Sequence, residues 1–410
     1  MKKRVAPAMV LAVVMLVLTT PNAWSGPETK VGVNMTSGYI AVPDGRLYYE
    51  ETGQGPCLVF IHDGMLHSEV YDDQFAAFSG EYRVVRYDRR GYGRSDKPTQ
   101  PYSNIADLKA VFDTLKIDSA LLIGCSAGGQ LSIDFTLKYP SLVTGMVLIG
   151  PVVSGMSYTS HMLTRGGHLT AEIFADPVRF RNYWIDSDPY EFYPTSTEAK
   201  VRARALLDAF PQNLDFGNNR LLQGPDRPAV RFLSEIKSPT LVIVGEGDIP
   251  DVHAQCGAIE AGISGARREI VPTAGHLVAL EKPQEVTDLI RSFSVESAFS
   301  RTLSQDGVPA AVRAYRTLLA KNPAAKPIAE ARLNQMGYES LQGGKTADAL
   351  ELFKFAVDLY PSSFNVYDSY GEALLASGDT TNAVANYRRS LELNPNNTNA
   401  VDVLGRLQKK

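Results

Sequence analysis

Cysteine is nearly missing from this chain of 410 residues, and the three it has, Cys57, Cys125 and Cys256, are an odd, scattered set. Their spacing excludes a disulfide framework and a zinc site, which leaves them as buried thiols. Histidine is also sparse. No two of the six histidines stand at ligand-like spacing within one expected element, so no metal and no cofactor are expected. Beyond the first few residues no basic run stands out, and 41 Lys+Arg against 45 Asp+Glu gives a net charge of −4. Such a surface repels polyanions and disfavours nucleic acid as a partner.

Long apolar runs are lacking too, with one short exception at the start. "MKKRVAPAMVLAVVMLVLTTPNAWSG" begins with Lys2, Lys3 and Arg4 and turns apolar from Ala8 to Leu18. It then offers Ala23 and Ser25 at the −3 and −1 positions of a cleavage site. About 11 apolar residues fall well short of the roughly 20 that span a bilayer. Residues 1–25 are therefore expected to be a removed secretory signal, with a periplasmic or secreted mature chain starting near Gly26; an uncleaved anchor is the alternative. No later segment is apolar enough to span a membrane. Without the three signal charges, 38 Lys+Arg face the 45 Asp+Glu, a net of about −7.

What is present is a repeated switch of apolar period. "GYIAVP" and "RLYYEET" read as strands around the turn "PDG". "CLVFIHDG", "YRVVRYD", "SALLIGCS", "VTGMVLIG", "SPTLVIVGEGD" and "ARREIVPTAGH" read as further strands, and several are nearly continuous apolar runs. Helical patterns separate them: "SEVYDDQFAAFSG", residues 104–115, and "AGGQLSIDFTLKYP", which stops before Pro140. This alternation implies an α/β fold with a mostly parallel sheet covered on both faces. Chemistry in such sheets gathers beyond the C-terminal strand ends.

Ser126 lies at such an end, within "GCSAGG" and immediately before a helix. The flanking Gly124 and Gly128 allow a sharp turn without Cβ clashes, and the helix N-terminus favours a developing oxyanion. A hydroxyl needs a base to become a nucleophile. Among the histidines, His161 and His168 fall in an irregular insert, while His67 and His253 suit solvated or capping roles. His62 ends a strand, where an orienting role fits. His276 follows a strand and a glycine-containing turn, and is the base by position. Asp248 ends another strand and is the expected orienting acid, with Asp251 as fallback.

Together, "VFIHDG", "VVRYDRRGYGRSDKP", "GCSAGG", "VGEGDIPD" and "PTAGHLVALEKP" make residues 38–295 resemble the α/β-hydrolase superfamily. The resemblance implies a Ser126, Asp248, His276 triad and an oxyanion hole from the N–H groups of Ala127 and Gly64, or Met65 if the loop register shifts. Many members have glycine where this chain has Asp63. A carboxylate aimed at the oxyanion would oppose catalysis, so its side chain is expected to face His62 or solvent. A serine nucleophile implies acyl transfer on a small ester-like substrate. Lactonase, peptidase and C–C bond hydrolase activities use the same groups, and a non-catalytic binding protein is the reading of a different class. In this family an insert such as residues 151–235 forms a lid. Met65, Tyr158 and Trp184, and also Tyr190, Phe192 and Tyr193, are candidates to line a substrate pocket.

The C-terminal part repeats at an interval of 34: Gly337 and Gly371, Gly344 and Gly378, Ala349 and Ala383, Phe353 and Tyr387, Pro361 and Pro395. The pattern resembles tetratricopeptide repeats, with Ala311, Tyr315 and Pro323 matching a degenerate earlier unit and "NAVDVLGRLQKK" a solvating final helix. The expected organisation is a signal at 1–25, an α/β-hydrolase domain at 26–296 and an all-α repeat domain at 297–410. Repeats of this kind bind a protein partner, self-associate or simply pack on their neighbour.

Overall fold

A computed structural model describes residues 35–215, 220–321 and 328–408. The expected signal segment and Pro323 lie outside the described residues. Eight strands form one sheet: β1 (Thr36–Val42), β2 (Gly45–Thr52), β3 (Cys57–Ile61), β4 (Arg83–Tyr87), β5 (Ala120–Cys125), β6 (Val143–Ile149), β7 (Thr240–Gly245) and β8 (Arg267–Val271). Their order is β1-β2-β4-β3-β5-β6-β7-β8. The β1–β2 and β2–β4 pairs are antiparallel and all later pairs are parallel.

The continuous apolar runs become central strands because both faces of the sheet are covered. Along β3, Leu58 and Phe60 enter one core while Val59 and Ile61 enter the other. β5 splits the same way, with Leu121 and Ile123 opposite Ala120 and Leu122, as the period of two along a strand requires. One face is covered by α1 (Asp72–Phe78) and the first half of a later helix. The other is covered by α2 (Asn104–Thr114), α3 (Ala127–Lys138) and a helix after β7.

Among the described residues, the segment between β6 and β7 holds four α-helices, the first three short: α4 (Ser160–Thr164), α5 (Ala171–Ala175), α6 (Pro177–Asn182) and α7 (Thr197–Ala209). α8 (Pro250–Gly262) follows β7, and α9 (Val278–Glu281) follows β8. The insert's Phe180, Trp184, Phe192, Ala203 and Leu207 join the core on the α1 side, so this layer is seated by apolar burial.

From α10 (Pro283–Asp306) onward the described chain is helical: α11 (Val308–Lys321), α12 (Glu330–Gln342), α13 (Thr346–Leu359), α14 (Phe364–Ala376), α15 (Thr380–Leu393) and α16 (Thr398–Leu407). α10 runs unbroken across residue 296, the expected junction. Its first half packs Val286, Ile290 and Phe293 on the sheet, and its second half packs Val295 and Phe299 with Tyr315 and Phe355. The 34-residue recurrence has a direct packing cause. A Cβ at Gly337 would stand 2.5 Å from the Phe353 ring, and one at Gly371 would stand 3.1 Å from the Tyr387 ring. Each helix pair thus closes on an aromatic side chain, which leaves no room for a Cβ at residue 337 and only a tight fit for one at residue 371. α16 is not wholly solvating, since Ala400 and Val403 are buried in the core that also holds Tyr387.

Candidate active site

Ser126 stands between β5 and α3 with φ 51° and ψ −113°, a strained conformation for a residue with a side chain. The turn is held because Ser126 N–H donates to the Ile149 carbonyl at 2.8 Å. A Cβ at Gly124 would overlap the Gly128 carbonyl, and one at Gly128 would overlap the Ile61 carbonyl, so both glycines are required by close backbone approach. The serine is left half-exposed at the head of α3.

Asp248 follows β7 and His276 follows β8, at the same edge of the sheet. Asp248 Oδ2 lies 2.8 Å from His276 Nδ1, while its Oδ1 accepts from Ile249 N–H at 2.7 Å. Nδ1 therefore carries the proton donated to Asp248, and Nε2 is left to accept one. Asp248 is 4% exposed and His276 8%. Gly150, at the end of β6, passes behind the pair with φ 49°. A Cβ there would lie 3.0 Å from the imidazole and 3.1 Å from Asp248 Oδ2. Burial works against a charged imidazole, but the Asp248 and Glu191 carboxylates outweigh it and raise the His276 pKa.

The loop after β3 supplies the other wall. A Cβ on Gly64 would touch the Ala127 side chain at 3.8 Å, so the two expected oxyanion donors are neighbours. Ala127 N–H belongs to the first turn of α3, where amides lack intrahelical acceptors. Met65 N–H is committed elsewhere, to Asp63 Oδ1 at 2.6 Å, which leaves Gly64 as the donor from this loop. The Asp63 side chain departs from expectation. It faces neither His62 nor solvent, and instead turns back to accept from Met65 and Leu66 N–H, because those amides are the acceptor-less donors of its own tight loop. His62 does orient the loop: Nε2 accepts from Arg89 N–H at 2.9 Å and Nδ1 donates to the Asp63 carbonyl at 2.8 Å. Tyr92 O–H adds a bond to the Gly64 carbonyl at 3.0 Å.

His67 also departs from expectation. It is fully buried, edge-on to Phe210 at 4.7 Å and 3.5 Å from Glu69, because the insert folds over the loop that carries it. Of the candidate pocket residues, Met65 packs on the apolar core beneath the insert. Trp184 is buried against Phe192 at 5.9 Å. Tyr158 is 47% exposed and belongs to neither core. Asp251 is not with His276; it pairs with His161 at 3.4 Å and accepts from Thr159.

One group was missed at the level of sequence. Arg165, at the end of α4, bonds Asp188 and Glu191 at 2.7 Å each. Those carboxylates are buried beside the histidine segment, where His276 N–H donates to the Tyr190 carbonyl and Leu277 N–H to the Glu191 carbonyl. No periodicity links Arg165 to residues 23 and 26 positions away, so only the tertiary fold reveals the cluster.

A strand-order sheet of this kind, with a strained serine turn and an Asp–His pair at one edge, agrees with the model of the alpha/beta hydrolase family, which matches residues 58–289. The chain belongs to that family. The carboxylesterase YbfK of Bacillus subtilis is 28% identical over 268 residues, 62% of this chain and 86% of YbfK. A 2-hydroxy-6-oxononadienedioate/2-hydroxy-6-oxononatrienedioate hydrolase of Paraburkholderia phymatum is 30% identical over 284 residues, 63% of this chain and 95% of the relative. Among solved structures, Est816, an N-acyl homoserine lactone degrading enzyme, aligns with a TM-score of 0.53 at 25% identity, over 62% of this chain and all of its own. These alpha/beta hydrolase relatives are a carboxylesterase, a dienedioate hydrolase and a lactone-degrading enzyme. Their common chemistry is hydrolysis.

Proposed function

We propose that the protein is an exported serine hydrolase that cleaves an ester-type bond, lactones included, through an acyl-enzyme. The observation that carries this reading is the convergence of a strained, half-exposed Ser126, a 2.8 Å Asp248–His276 pair and a Gly64–Ala127 contact at one sheet edge. His276 Nε2 takes the Ser126 proton as Oγ attacks the acyl carbon. The N–H groups of Gly64 and Ala127 hold the resulting oxyanion, and the imidazolium then protonates the leaving oxygen. Water repeats the sequence on the acyl-enzyme. Buried Asp248, Asp188 and Glu191 outnumber Arg165 beside the imidazole, which favours neutral acyl groups over the dicarboxylate type named for the Paraburkholderia relative.

Residues 297–410 serve, in this reading, as a tetratricopeptide-like domain that engages a protein partner or a second copy, with Met1–Ser25 removed on export. The test of the catalytic reading is hydrolysis of p-nitrophenyl acetate and butyrate by the full mature chain. Turnover is expected, reduced at least about 1,000-fold in Ser126→Ala and in His276→Gln. Equal turnover in all three proteins would refute it.

A further inference from the structure

The lid-side cluster beside His276 is built more firmly than a chance ion pair. Arg165 sits in left-handed backbone geometry, φ 50° and ψ 51°, and its guanidinium reaches Asp188 through Nε and Glu191 through Nη2. Asp188 Oδ1 accepts from Tyr190 N–H at 2.8 Å and Glu191 N–H at 3.3 Å, which fixes the backbone of the residues that follow it. Those residues then bond the histidine segment: Tyr190 carbonyl to His276 N–H at 2.9 Å, and Glu191 carbonyl to Leu277 N–H at 3.2 Å. A Cβ at Gly275 would stand 2.7 Å from the Tyr190 carbonyl, so the two strands of backbone are in close contact. Glu281 ties the same segments together, accepting from Gly275 N–H at 2.5 Å and Tyr193 N–H at 2.6 Å. Glu191 is 3% exposed, so its charge is poorly screened.

We infer that Glu191 is a positioning residue for His276, a second carboxylate supplied by the insert, fixed by Arg165 and supporting the imidazolium alongside Asp248. The inference rests on the acyl-transfer reading of Ser126. When the proton passes from Ser126 Oγ to His276 Nε2 and the Oγ–carbon bond forms, the positively charged ring is bonded to Asp248 and favoured by the Glu191 carboxylate of the segment bonded to Leu277. Among the described residues, the other charged or titratable groups around this space include Asp188, Arg165 and Tyr183 from the insert and Cys125 from β5. Burial outweighs the pull of His276 and Arg165 and raises the Glu191 carboxyl to about 7. With the insert seated, the base is strengthened; with it displaced, that support is lost.

The experiment reads the histidine directly. In full-length Ser126→Ala protein, the His276 imidazole is titrated by 15N NMR, assigned through loss of its signal in His276→Gln. Removing a negative charge favours the neutral ring. Glu191→Gln is therefore expected to lower the midpoint by about one pH unit or more, and Glu191→Asp by less. In the active enzyme, the acidic limb of the kcat/KM profile should shift to lower pH in the same order. An unmoved midpoint in either folded variant, or equal shifts in both, would overturn the inference. Because the NMR titration needs no turnover, its outcome is independent of whether esters are hydrolysed.

Discussion

At Gly150 a single hydrogen stands where any side chain would press on the imidazole and on Asp248. The positive φ adds a backbone cost of about 1–3 kcal/mol for a residue with a Cβ. Gly150→Ala is expected to shift the Asp–His pair by a few tenths of an ångström and lower kcat/KM by about 100-fold, with only a modest fall in Tm. Steady-state kinetics beside a thermal melt separates the two effects. An unchanged kcat/KM would mean that the pair is not held by this contact. Residues such as Ser126 and His276 were legible in the sequence because short glycine-containing turns at strand ends announce them. The rotamer of Asp63, the burial of His67 and the Arg165 cluster were not, since each depends on what the insert folds against.

Among the elements, the strands were readable for a physical reason: burial on both faces makes them continuous apolar runs, and the turns between them are polar. The insert was readable only as an insert. α4, α5 and α6 are too short to carry a sustained helical period, so their positions follow from seating on the core. The 34-residue recurrence was readable because each repeat solves the same packing problem. Tyr387→Ala is expected to cost about 3–5 kcal/mol in the α14–α15 pair. Hydrogen exchange should become faster across residues 364–393 while ester hydrolysis is retained. Uniform protection across those helices would contradict the packing account.

For the whole molecule, α10 joins sheet and helices into one body rather than leaving a linker between them. Glu296, on that helix, forms ion pairs with Arg267 of β8 at 2.9 Å and with Arg332 of α12 at 3.3 Å. The arginines are partly exposed, so solvent screening reduces the value of the cluster to about 1–2 kcal/mol. Glu296→Gln is expected to lower Tm by about 2–4 °C without loss of activity at 25 °C, read by circular dichroism and ester hydrolysis. A chain that melted unchanged would show that apolar packing at Val295 and Phe299 alone holds the two parts together. The sequence placed a junction at residue 296 because the sheet pattern ends there. It could not reveal a helix that crosses the junction, since one helical period continues into the next.

The proposed function makes Ser126 a nucleophile activated by His276. Its most direct test is labelling with a fluorophosphonate probe followed by peptide mass spectrometry. The expected result is one adduct per chain, located on Ser126, absent in Ser126→Ala and formed at least about 100-fold more slowly in His276→Gln. An adduct on another residue, or the same labelling rate without the histidine, would contradict the account.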